Sequence, residues 1–160
     1  MLSDKPDAVP LVLLHGWPGI FIVMRLFAFT KRSIGSFLEF LPILSIMRKE
    51  YNASSLPYHL IVPSMPGYTF SSPPPIDRDL RIEDLARIFD KLMVGLGFAD
   101  GYVVQGGDIG SKVGRIMAAK HDSCKGDITN HSFFLASANY LFKAIHRERY
   151  CTHVPLLFEI

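Results

Sequence analysis

Three short apolar runs, each closed by glycine and proline or by paired glycines, punctuate the chain. Residues 10–14 (PLVLL) end at His15-Gly16-Trp17-Pro18-Gly19, and residues 59–62 (HLIV) end at Pro63-Ser64-Met65-Pro66-Gly67. Residues 101–105 (GYVVQ) end at Gly106-Gly107. Runs this short and this uniformly apolar predict strands buried on both faces, as in a parallel sheet. Helical spacing fills the intervals. Residues 80–96 place Ile82, Leu85, Phe89, Leu92, Met93 and Leu96 three and four apart, one face of a helix, with Gly97 as its C′ residue. Ser36-Phe37-Leu38-Glu39 reads as a capping box opening a helix to about residue 47, in which Pro42 is expected to introduce a kink. A third helix is expected after Asp108, burying Val113, Ile116 and Met117. Strands alternating with helices predict an α/β fold, a mostly parallel sheet with flanking helices.

Two segments break this rhythm. Residues 20–35 (IFIVMRLFAFTKRSIG) are too long for a connection that commonly spans about 2–6 residues. Residues 126–160 show neither a clear strand nor a capped helix and are expected to be irregular or poorly ordered. The expected organisation is therefore one α/β domain over 1–125, interrupted by an insertion at 20–35, followed by a tail at 126–160.

Composition narrows the classes. A chain of 160 residues allows a single domain with a modest core, and 49% hydrophobic with 20% charged residues excludes wholesale disorder. The net charge is +2 with both signs interspersed, which predicts no nucleic-acid partner. The longest apolar stretch, residues 19–30, carries Arg25 and falls short of the roughly 20 residues a membrane span needs. The opening MLSDKPDAVP has acids where a secretory signal would be basic and then apolar, and Cys124 and Cys151 are too few for a disulfide scaffold. A cytoplasmic protein without a membrane segment is the expectation.

Candidate chemistry sits at two of the strand ends. Gly106-Gly107-Asp108-Ile109-Gly110-Ser111 lies between a predicted strand and a predicted helix, with small residues on either side of one carboxylate. That pattern suits a nucleophile elbow, a sharp turn that projects the reactive side chain beyond the strand at the start of the next helix. Read alone, it suits a glycine-rich turn with Asp108 as an ordinary helix N-cap equally well. A phosphate loop is a poorer reading, because no Gly-Lys-Ser/Thr follows. His15-Gly16-Trp17-Pro18, at the end of the first strand, stands where an oxyanion loop would stand relative to such an elbow. His15 itself reads as a hydrogen-bonded strand-end histidine rather than a base.

The segments PLVLLHGWPG, SFLEFLPIL, LPYHLIVPSMPGYTFSSPPP and VVQGGDIGSKVGRIMA, in this order, resemble the N-terminal half of the catalytic domain of microsomal-type epoxide hydrolases. These enzymes belong to the α/β-hydrolase superfamily. The resemblance covers roughly residues 10–19 and 36–125. It implies a partial α/β-hydrolase fold with the cap domain absent, Asp108 as nucleophile, and the backbone N–H groups of Trp17 and Ile109 as oxyanion donors. It also implies that residues 63–72 line the same side of the sheet. The implied reaction converts a small hydrophobic epoxide to a vicinal diol through an aspartyl alkyl ester, with no cofactor and no metal.

The chemistry of a carboxylate nucleophile agrees. Attack on an ester carbonyl would give an anhydride, whereas attack on an sp³ carbon gives an ordinary ester that water can cleave at its carbonyl. Epoxides and alkyl halides are the two substrate classes. Dehalogenases of similar design place tryptophan after the aspartate, and Ile109 here favours the epoxide. The family's histidine base, its acid partner and its cap tyrosines find no match. None of His15, His59, His121, His131, His146 or His153 stands in a segment resembling the base, and Tyr140 and Tyr150 lie in the unmatched tail. The expectation is a truncated hydrolase whose ester would turn over slowly, with an open sheet edge. The alternatives are an inactive α/β module that binds a hydrophobic ligand or partner, and an Asp-nucleophile dehalogenase.

Overall fold

Each of the three apolar runs becomes a strand, and the three lie side by side with a fourth. The computed structural model describes residues 1–16 and 36–130. Its elements are β1 (Val9–Leu14), a 3-10 turn (Phe37–Phe40), α1 (Leu41–Glu50), β2 (Tyr58–Ile61), α2 (Ile82–Gly95), β3 (Tyr102–Gly107), α3 (Ile109–Lys120) and β4 (Cys124–Asn130). The strands pair in the order β2-β1-β3-β4, and every pair is parallel.

Alternation along β1 explains why its sequence is apolar throughout. Leu11 and Leu13 pack with Ile43 and Met47 of α1 and with Leu56 and Leu60. Val12 and Leu14 point the other way, into a cluster with Val104, Leu85, Phe89, Met93, Val113 and Met117, so α2 and α3 cover that face. Leu11, Val12, Leu13 and Leu14 are all buried. At about 1.5–3 kcal/mol for each fully buried aliphatic side chain, this strand anchors both halves of the core.

The elements follow their predicted signals, with three corrections. Pro42 does not kink a helix but starts one: it occupies the first turn of α1, where its missing N–H has no partner to lose. The segment expected as one helix is thus a 3-10 turn followed by α1, and Ser36 Oγ accepts from Leu38 N–H at 3.3 Å. In α2 the buried face is Leu85, Ala86, Phe89 and Met93, whereas Leu92 and Leu96 are exposed. Gly97 is the C′ residue at φ 94°, with Phe98 N–H donating to Met93 O and Gly97 N–H to Val94 O, both at 3.0 Å.

The third correction is β4. Residues 126–130, expected to be irregular, belong to a parallel strand paired with β3 from Tyr102↔Cys124 to Gly107↔Asn130. At the other edge, residues 1–4 run beside β2, where Leu60 N–H donates to Met1 O at 2.8 Å and Ser3 Oγ donates to Leu56 O at 2.6 Å. That edge is therefore partly paired. Among the described residues no helix is long and apolar enough to cross a membrane.

Candidate active site

The chain runs from β1 to β2 on one side and then crosses back to β3 on the other, so the direction of winding reverses at β1. In an open parallel sheet, such a reversal leaves a crevice beyond the carboxyl ends of the two strands flanking it. The register pairs Leu14 with Gly106 at those ends, which brings His15-Gly16 abreast of Gly107-Asp108. A Cβ placed on Gly16 would stand 3.1 Å from Asp108 Cβ and 3.3 Å from Asp108 Oδ2. The carboxylate therefore lies directly against the loop that leaves β1.

Asp108 holds φ 51° and ψ −118°, a strained conformation for a residue with a side chain. Strain of this kind costs about 1–3 kcal/mol and persists only where the surroundings impose it. Here they do. Gly106 lies against the Gly110 backbone, with Ser111 N only 2.8 Å from where a Cβ would be. Gly110 lies against the Leu14 carbonyl, with His15 O 2.9 Å from its virtual Cβ. Ser111 Oγ donates to the Asp108 carbonyl at 2.6 Å and closes the turn. The Asp108 side chain makes no capping hydrogen bond to α3, so the plain N-cap reading is set aside. Ile109 is the first residue of α3, immediately after the carboxylate. Trp17 and residues 20–35 lie outside the described residues, as do His131, His146, His153, Tyr140 and Tyr150.

His15 is 1% exposed and its two ring nitrogens are both engaged. Nε2 accepts from Met65 N–H at 2.8 Å, so Nδ1 carries the proton and donates to Gly16 O at 3.0 Å. Burial pushes its pKa below 6.5, keeping the ring neutral. This histidine ties the loop after β1 to residues 63–72, whose Tyr68 ring sits 5.1 Å from it. The same stretch is held to the 3-10 turn by Phe37 N–H donating to Ser64 Oγ at 3.2 Å. Replacing His15 with alanine leaves Met65 N–H and Gly16 O without these partners and is expected to cost about 2 kcal/mol at pH 8. Below pH 6.5 the unfolded chain binds a proton that the buried ring refuses, so wild-type stability is lost as pH falls through the lowered pKa and the margin over the variant narrows. Urea titrations of both proteins at pH 8 and pH 5.5 check this.

The other described histidines are committed elsewhere. His59 Nδ1 accepts from Ser3 N–H at 3.2 Å, and His121 pairs with Asp90 at 3.2 Å. Among the described residues no group of three His, Cys, Asp or Glu side chains could hold a metal ion.

One acid at the site was visible in the sequence only as half of a capping box. Glu39 does reach back to the Ser36 N–H, but its carboxylate also accepts from the Gly16 N–H, 23 residues earlier in the chain. Its Oε1 is buried without a partner among the described residues. Burial pushes its pKa up to about 7, with the Asp108 charge adding to the rise and the two N–H donors opposing it.

Residues 9–138 match the alpha/beta hydrolase fold family. The chain belongs to this family. Its β2-β1-β3-β4 core is a parallel sheet with helices on both faces. The chain is 43% identical over 126 residues to a putative epoxide hydrolase of Dothistroma septosporum, covering 79% of this chain and 26% of that protein. To the juvenile hormone epoxide hydrolase of Bombyx mori it is 38% identical over 112 residues, 70% of this chain and 20% of that one. The solved structure of Aspergillus niger epoxide hydrolase aligns with a TM-score of 0.70 at 48% identity, covering 85% of this chain and 31% of that one. The chain spans about a fifth to a quarter of the length of these curated relatives.

Proposed function

We propose that Asp108 opens epoxides by direct attack, forming an alkyl ester on the protein. One carboxylate oxygen bonds to a ring carbon, that carbon's bond to the ring oxygen breaks, and the oxygen leaves as an alkoxide that takes a proton. Water then adds to the Asp108 carbonyl carbon, the N–H groups of Trp17 and Ile109 hold the resulting oxyanion, and collapse releases a vicinal diol and restores the carboxylate. The observation that carries this reading is the Asp108 elbow, with its strained backbone and its carboxylate against Gly16 at the sheet's winding reversal. Relatives named as epoxide hydrolases support the epoxide over the alkyl halide. Tyr68 beside His15, and Phe70 exposed beside Phe37, offer apolar surface for a hydrophobic substrate.

Among the described residues the three histidines are held in structural bonds, so the step these residues support is formation of the ester. The full chain incubated with styrene oxide, digested and sequenced by tandem mass spectrometry, is expected to carry one added epoxide on Asp108. Folded protein that stays unmodified sinks the proposal in favour of a binding module, and halide release from a chloroalkane without epoxide capture favours a dehalogenase.

A further inference from the structure

Glu39 stands outside the mechanism just given, yet it touches the site from a second element. Its carboxylate accepts from the Gly16 N–H at the end of β1 and from the Ser36 N–H that opens the 3-10 turn, and the Asp108 charge helps to raise its pKa. Gly16 in turn lies against the Asp108 carboxylate, within 3.3 Å of Oδ2 as measured from its virtual Cβ. The side chain is therefore a bracket between the helical entry and the loop that faces the nucleophile. A bracket alone would need only an amide. What marks this one is a second acid beside the first, with a buried Oε1 that has no described partner.

Building on the reading of Asp108 as nucleophile, we propose that Glu39 is a positioning residue that fixes the loop at Gly16 and whose charge sets the balance between the two half-reactions. Attack on a neutral epoxide carries negative charge away from Asp108 to the departing ring oxygen. An ionised Glu39 favours that step, because the repulsion between two neighbouring carboxylates is relieved as the ester forms. Hydrolysis runs the other way: it builds an oxyanion on the Asp108 carbonyl, beside Glu39, and a neutral Glu39 favours it. A group that titrates near neutrality divides the two steps by pH. The described titratable groups facing Glu39 are Asp108 from the turn before α3 and, across Gly16, His15 at the end of β1, which burial keeps neutral. Between pH 6.5 and 8 the expected change at the bracket is therefore that of Glu39 itself, about 7.

The test is the rate of styrene oxide capture on Asp108 in the full chain, followed by mass spectrometry from pH 6 to 8.5. For wild type the rate is expected to rise about fivefold through neutrality. Glu39→Gln, which keeps an acceptor for Gly16 and Ser36 but no charge, is expected to lose that rise, and Glu39→Asp to retain it. A purely structural role would lower stability in both variants and leave the profile of the surviving protein unmoved. Capture by wild type with the same profile in Glu39→Gln overturns this inference while leaving the role of Asp108 standing. Absence of capture in wild type overturns both. If Glu39→Gln does not fold, the wild-type profile decides: a rate flat through pH 7 refutes the proposal, and a rise that Glu39→Asp shares upholds it.

Discussion

Asp108→Asn is expected to abolish epoxide capture, with labelling reduced on the order of 10⁴-fold or more, because the amide oxygen lacks the negative charge that makes the carboxylate a nucleophile. The fold is expected to survive. Asparagine tolerates positive φ as aspartate does, and the turn is closed by Ser111 on the backbone carbonyl. Removing one of two neighbouring acids also relieves repulsion with Glu39. Stability is therefore expected to stay within about 0.5 kcal/mol of wild type or to rise, a trade of activity against stability typical of functional sites. Mass spectrometry with styrene oxide and a thermal melt on the same sample measure both. Loss of labelling accompanied by unfolding would show that the carboxylate holds the structure together.

Gly106→Ala and Gly110→Ala are expected to be the most damaging small substitutions in the described chain, each costing about 3 kcal/mol or more. The added methyl meets backbone in both cases: Gly110 and Ser111 for the first, Leu14 and His15 for the second. Backbone cannot rotate aside as a flexible side chain can, so the elbow must part from β1 or the helix must shift. Gly107→Ala is the control, since nothing lies within 4 Å of its virtual Cβ, and it is expected to be nearly neutral. Urea denaturation of the three variants checks the order. Against a total stability of about 5–15 kcal/mol, the two damaging changes remove a large share.

The parts of the fold that could be read from the chain are those where one local requirement leaves few residue choices. Burial on both faces demands the unbroken apolar run of β1, and close backbone approach demands Gly106 and Gly110 around Asp108. A positive φ after α2 calls for Gly97. The parts that were missed obey weaker or longer-range rules. β4 reads CKGDITN: Cys124 is buried, Lys125 and Asp127 are exposed, and Ile128 is half-buried, so pairing with β3 decides a strand that its composition does not announce. Pro42 reads in the sequence as an interruption because nothing local announces the 3-10 turn before it, and with that turn in place the proline begins a helix. Leu92 and Leu96 match the helical period but lie off the face that α3 and the sheet cover. Glu39 was legible as a capping residue because that bond is local, while its bond to Gly16 joins elements whose proximity only the sheet creates.

β1, the first of the described strands in chain order, is an interior strand of the sheet, flanked by β2 and β3. Its second neighbour, β3, begins at Tyr102, so the apolar residues 11–14 leave the exit tunnel long before both of their pairing partners have been translated. Non-local pairing of this kind folds slowly and leaves sticky surface waiting. Nascent chains halted before β3 should therefore be the form that chaperones hold longest, and the reactive turn can take shape only once that wait has ended.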